Sequence, residues 1–219
     1  MKEQLNRAVI YFFGLIVLAL GIVLNTKTLL GVSPIISIPY NVCQIGHFNL
    51  GITVFIFYSF CVLVEAVIKG KNFKIYDLLQ IPMSLVTSMF INFFEQYLNL
   101  QPDTVAGKFL LLIAAVLVTG IGAATMVNMK LIPNPADALA AAIGEKIHRD
   151  MGLGKNIFDF TCFCIALVIG FAFTGHIIGI GIGTLFVVIF TGRVIAVYNY
   201  LLKVKMQVAA GLLTQEEMF

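Results

Sequence analysis

The chain of 219 residues is 60% hydrophobic and only 11% charged, with a mean hydropathy of +0.99. A water-soluble domain carries about 25% charged residues, so a soluble globule is excluded and the chain reads as an integral membrane protein. The formal charge of +3 is spread over connecting segments rather than gathered in one stripe, which leaves nucleic-acid binding without support.

The N-terminus carries Lys2, Glu3 and Arg7 ahead of an apolar run over 8–24. No small-x-small cleavage site closes that run, so it is expected to be a first spanning helix rather than a signal peptide. A span needs about 20 mostly apolar residues. Six segments qualify, roughly 8–25, 51–68, 75–98, 107–128, 157–175 and 178–202, and none alternates with the period of a barrel strand. Gly14, Gly21, Gly120 and Gly122 fall within spans one and four, where small residues let helices approach closely. Of the four cysteines, Cys61, Cys162 and Cys164 sit in apolar runs and Cys43 in a connection. A structural role is expected for them, because Cys162-x-Cys164 lacks the spacing and partners of a zinc site.

Two connections, 26–50 and 129–156, are too long for turns. Each holds a moderately apolar piece that starts on proline, 34–46 after Ser33-Pro34 and 135–148 after Asn134-Pro135. Both read as re-entrant or half-length helices, with Ser33 and Asn134 as N-caps and the prolines at the first helical position. The first contains Pro39 and should be the poorer helix.

Sliding the chain by 101 positions places Gly21 on Gly122, Ser33 on Asn134, Pro34 on Pro135, His47 on His148, Gly51 on Gly152 and Phe57 on Phe158. Both histidines are expected at solvent-facing ends of the short helices. After the second span the register slips by about six residues, which sets Ile75 against Ile182. The expected plan is therefore all-α, six transmembrane helices arranged as two inverted three-helix repeats, 1–100 and 101–205, each with a short helix after its first span. A cytoplasmic tail over 206–219 follows. With the N-terminus inside, eleven of the 14 Lys and Arg lie on the cytoplasmic side, Lys27 and Lys108 outside, and Arg193 within the sixth segment. The positive-inside rule then places both termini in the cytoplasm.

The stretches Leu29-Leu-Gly-Val-Ser-Pro34, Asn49-Leu-Gly51 and Gly179-Ile-Gly-Ile-Gly-Thr-Leu185 resemble those of the YczE/YitT-type bacterial membrane proteins, over nearly the whole chain. The resemblance implies a multi-pass protein of the bacterial cytoplasmic membrane, and it implies architecture rather than activity. The Trp-Asp expected after the first Ser-Pro is Ile35-Ile36 here, whereas Asp137 keeps an acid at the position matching Ile36.

A helix that starts inside a membrane presents free N–H groups and about half a unit of positive charge. Two such starts facing each other suit an anion or a carboxylate-bearing solute. The candidate binding residues are Ser33, Pro34, Asn134, Pro135 and Asp137, with Thr26, Thr28 and Asn128 as neutral partners and Lys27 and Lys130 as charges. Two readings stay open for the lysines, a place at the site or snorkelling to the interface. Asp137 is either a helix cap or a site for a coupling proton or cation. Arg193 faces a polar cavity or marks the cytoplasmic end of its span. Glu65, Asp77 and Glu95 are expected at the interface, and Asp159 in an ion pair with Lys155, one helical turn away.

The expected function is that of a secondary transporter for a small anionic or zwitterionic solute, bound near the midplane between residues 26–37 and 127–138. The rivals are a membrane-embedded substrate-binding subunit of a larger transporter and a non-transport accessory protein. An enzyme is not expected, since no HExxH or Gly-x-Ser-x-Gly motif is present. No cofactor or metal is implied. The partners are the lipid bilayer and the solute, and a homo-oligomer stays open.

Overall fold

The computed structural model describes residues 2–213. They form eight helices: α1 (Lys2–Lys27), α2 (Pro34–Gly46), α3 (Leu50–Lys69), α4 (Gln80–Tyr97), α5 (Val105–Asn128), α6 (Pro135–Lys146), α7 (Met151–Thr174) and α8 (Ile182–Ala209). All but α2 and α6 belong to six stretches long and apolar enough to cross a membrane. Of the expected tail, 206–209 extend α8, and 214–219 lie outside the described residues.

The two short helices begin at their prolines, as expected. Pro34 and Pro135 each follow a residue in extended conformation, Ser33 and Asn134, and each fills a first-turn position whose N–H would have no partner. Pro39 does not stop α2, although it leaves the Ile35 carbonyl without its usual i+4 donor. Helix α7 starts six residues earlier than expected. Its first turns are held by Gly154, where an added Cβ would lie 2.6 Å from the Gly144 nitrogen of α6. Ahead of α4 the chain runs through a 3-10 turn, Ile75–Leu79, and Pro82 then sits in the first turn of the helix.

The bundle is built around α1 and α5. Gly14 meets Thr125 and Met126, Leu18 meets Gly122, and Gly21 meets Thr119, so the two helices run antiparallel. A Cβ at Gly21 would lie 2.6 Å from the Thr119 backbone nitrogen, and one at Gly122 would lie 2.7 Å from the Leu18 Cα. Only hydrogen fits there. Helix α4 packs on α1 and α3, and α8 packs on α5. The short helices cross over: α2 lies against α3 and α7, and α6 lies against α7 and α3. The start of α1 meets the end of α8, where Asn6 donates to the Ala209 carbonyl at 3.4 Å. This end of the bundle is its terminal face.

Among the described residues, four other than glycine adopt left-handed backbone, at φ near +50°: Leu29, His47, Lys130 and His148. They fall in two pairs, each 101 positions apart. Leu29 and Lys130 turn the chain out of α1 and α5, and the exposed His47 and His148 end α2 and α6. The unfavourable conformation recurs because the same turn recurs.

Gly21→Leu should cost about 1–3 kcal/mol or more through overpacking at the crossing, lowering the midpoint of thermal unfolding in detergent. Gly192→Ala, where an added Cβ meets nothing within 4 Å, should leave the midpoint unchanged or slightly raised.

Candidate functional site

The first break is held by Asn25, in the last turn of α1. Its amide donates to the Gly31 carbonyl at 3.3 Å, and its carbonyl oxygen accepts from the Ser33 N–H at 3.0 Å. The Thr28 hydroxyl donates to the Asn25 carbonyl at 2.7 Å. The segment is tied across to the entry of α8 by Val32 N–H to the Gly179 carbonyl and Gly183 N–H to the Leu30 carbonyl, both at 2.8 Å. Asn25 stands four residues beyond Gly21, about 6 Å along the axis. The break therefore opens about one turn beyond the α1–α5 contact at Gly21.

The second break is held by the opposite end of α1. The Tyr11 hydroxyl donates to the Ile132 carbonyl at 2.9 Å, and the Arg7 guanidinium donates to the carbonyls of Met129 and Lys130. Asn134 accepts from the Ala136 N–H at 3.0 Å and so caps α6. Beside Asn134 lies the side chain of Tyr58, buried midway along α3. Ser33 makes no corresponding bond, so the first-turn N–H groups of α2 have no side-chain cap.

The candidate residues do not converge on one point. A small enclosed cavity of about 20 Å³ touches Ser33, Asn25 and Thr119, enough for one water, and none of its lining residues belongs to the second break. Thr26 donates within its own helix to Val23, and the Asn128 amide donates to Asn199 of α8 at 2.7 Å. Lys27 and Lys130 end antiparallel helices and therefore lie at opposite ends of the bundle. Lys27 pairs with Glu95 of α4 at 2.6 Å, and Lys130 is exposed. Arg193 neither faces these breaks nor ends its helix. It is exposed within α8, 5.3 Å from the centre of the Phe190 ring.

One ionic expectation is corrected. Lys155 pairs across helices with Asp137, at 3.3 Å, rather than along its own helix with Asp159. The close α6–α7 contact at Gly154 brings Asp137 within reach, and the Asp159 Oδ1 is left buried without a partner. Glu65, four residues from the end of α3, is 0% exposed. It pairs with Lys69 at 2.5 Å and accepts from the Gln80 amide, itself wholly buried, at 2.8 Å. Lys69 also reaches Asp77 at 3.4 Å. The spacing of Glu65 and Lys69, one turn apart, was the available signal. Nothing in the sequence marked Asn25 or Tyr58.

Residues 5–200 match a family of unknown function, DUF6198. The chain belongs to that family. It is also 30% identical over 204 residues to the uncharacterized membrane protein YczE of Bacillus subtilis (strain 168), covering 89% of this chain and 86% of that relative. No solved structure matches. The YczE-type resemblance and the membrane character thus stand on sequence likeness and on six membrane-length helices together.

Removing Asn25 strands a backbone N–H and a carbonyl inside the bundle, so Asn25→Ala should cost about 1–3 kcal/mol. Thr26→Val, which loses only a bond within its own helix, should change the unfolding midpoint little. Lys69→Met should cost about 3–5 kcal/mol, because it leaves Glu65 charged, buried and unpaired. Adding Glu65→Leu should recover most of that loss in a double-mutant cycle.

Proposed function

We propose that this protein is a secondary transporter built from two inverted three-helix repeats, carrying a small anionic or zwitterionic solute by alternating access. The observation that carries the reading is the reciprocal docking of the half-length helices. Helix α2 of the first half lies on α7 of the second, and α6 of the second lies on α3 of the first. This docking of each short helix on the other half of the chain supports the reading, because transporters with broken helices bind where their repeats meet.

The repeat is supported by the antiparallel course of α1 and α5 and by left-handed residues recurring 101 positions apart. The correspondence is looser at the third span, since α3 packs closely on α4 while α7 and α8 share little contact. The anionic preference rests on the uncapped start of α2, whose Ile35 and Ile36 N–H groups point along a helix dipole with no side-chain acceptor. Asp137 enters as the charge that Lys155 neutralises at rest. Both termini are assigned to the cytoplasm, and the host membrane to the bacterial inner membrane, on the distribution of Lys and Arg. No catalysis is assigned.

The test is uptake into proteoliposomes of labelled carboxylates, phosphate, sulfate and amino acids, under imposed proton and sodium gradients. At least one solute should move. Ser33→Ala should fold normally, because the hydroxyl caps nothing, yet slow that flux about tenfold if it contacts the solute. No movement of any of these solutes under either gradient would overturn the transport reading.

A further inference from the structure

A groove of about 430 Å³ opens near the terminal face, between α1, α5 and α8. Its walls are apolar: Val9, Ile10 and Phe13 from α1, Met206 and Ala209 from α8. The polar groups of its floor are already engaged, since the hydroxyls of Thr125 and Tyr198 lie 3.0 Å apart in a hydrogen bond. Val9 and Phe13 continue outward onto an apolar surface that includes Leu5, all three well exposed. In a membrane-spanning chain that surface meets hydrocarbon. Water gains nothing in such a groove, and leaving it empty forfeits the dispersion contacts of its walls. An acyl chain fits it.

The head group is decided by charge. Lys205 lines the groove and is exposed, and among the described residues it has no ion-pair partner. Among the described residues, the same ends of α1, α5 and α8 carry Arg7, Lys130 and Lys203, against one acid, Glu3. Arg7 is fixed by the carbonyls of Met129 and Lys130, so among the described residues of these helix ends positive charge is in excess. Basic residues at such positions between spanning helices favour anionic head groups.

We propose that the groove between α1, α5 and α8 is a binding site for an anionic phospholipid, with one acyl chain against Phe13 and Met206 and the phosphate at Lys205. This site is separate from the two helix breaks and does not depend on the transport reading. A lipid held there bridges α1 and α8 at the face where both ends of the described chain meet.

The test is native mass spectrometry of the detergent-purified full chain, titrated with phosphatidylglycerol and with phosphatidylcholine of identical acyl chains. Phosphatidylglycerol should bind about fivefold more tightly, the preference expected from one lysine near the head group. Lys205→Glu, at an exposed position, should abolish the preference while phosphatidylcholine binding persists. Ala209→Phe should fill the groove and weaken both lipids, with the unfolding midpoint reported alongside to show that the variant is folded. Equal affinity of the native chain for both lipids would overturn the proposal, as would a preference that survives Lys205→Glu. Unaltered lipid binding in folded Ala209→Phe would place the lipid elsewhere.

Discussion

Between helices in a bilayer the hydrophobic effect supplies little attraction, because lipid tails are as apolar as leucine. Association then depends on close packing and on polar bonds across the interface. In this chain the most extensive packing is the crossing of α1 and α5, where Gly21 lies on Thr119 and Gly122 on Leu18. An antiparallel crossing at mid-length sends the carboxyl ends of the two helices to opposite sides. The turns at Leu29 and Lys130, and the short helices after them, inherit that opposition. The rest of the bundle fills in around it: α4 rests on the free side of α1, and α8 rests on that of α5.

A chain that leaves a helix inside a bundle must pair its freed backbone groups within the protein. The two breaks meet this demand differently. At the first, Asn25 serves both the Ser33 N–H and the Gly31 carbonyl, and glycines at 179–183 bring another stretch of backbone close enough to pair. Gly31 itself, at φ +113°, would be strained with any side chain, and a Cβ there would lie 2.6 Å from the Gly181 nitrogen. At the second, α1 reaches across with Arg7 and Tyr11 to hold three successive carbonyl regions, Met129, Lys130 and Ile132. One helix thus supports both breaks, one from each end.

The spans were legible in the sequence because length and hydropathy are local properties. The short helices were legible because Pro34 and Pro135 mark a first turn that needs no donor, and α2 runs over the expected 34–46. Charges were read less well. Lys155 had two carboxylates within reach, and the one four residues along its own helix was the local choice. The choice was made instead by Gly144 and Gly154, whose small size lets α6 approach α7 and deliver Asp137. Glu65 has a lysine one turn along its own helix, yet it is wholly buried and its second partner is Gln80, 15 residues away beyond the next turn. Arg193 sits well inside α8, which runs to Ala209 rather than ending near the arginine, and its guanidinium rests on Phe190 one turn away. Long-range packing decides such cases, and periodicity carries no trace of it.

The two breaks share a backbone plan but not a charge. Where α6 has Asp137 in its first turn, α2 has Ile36, and where α7 has Lys155, α3 has Val54. A carboxylate near a helix start lowers the attraction of that start for another anion, and a lysine at 3.3 Å restores neutrality without adding a surplus. The second start is therefore electrostatically self-contained. The first has no acid, no cap from Ser33, and a cavity with room for a water beside it. Under the transport reading, negative charge on a solute would be drawn to the α2 start. The Asp137–Lys155 pair would respond only when α6 and α7 shift relative to one another, since each partner belongs to a different helix. The turns out of α1 and α5 share one backbone plan. Charge makes the two breaks unequal: the second carries a carboxylate and its lysine, whereas the first leaves its helix start without a side-chain cap.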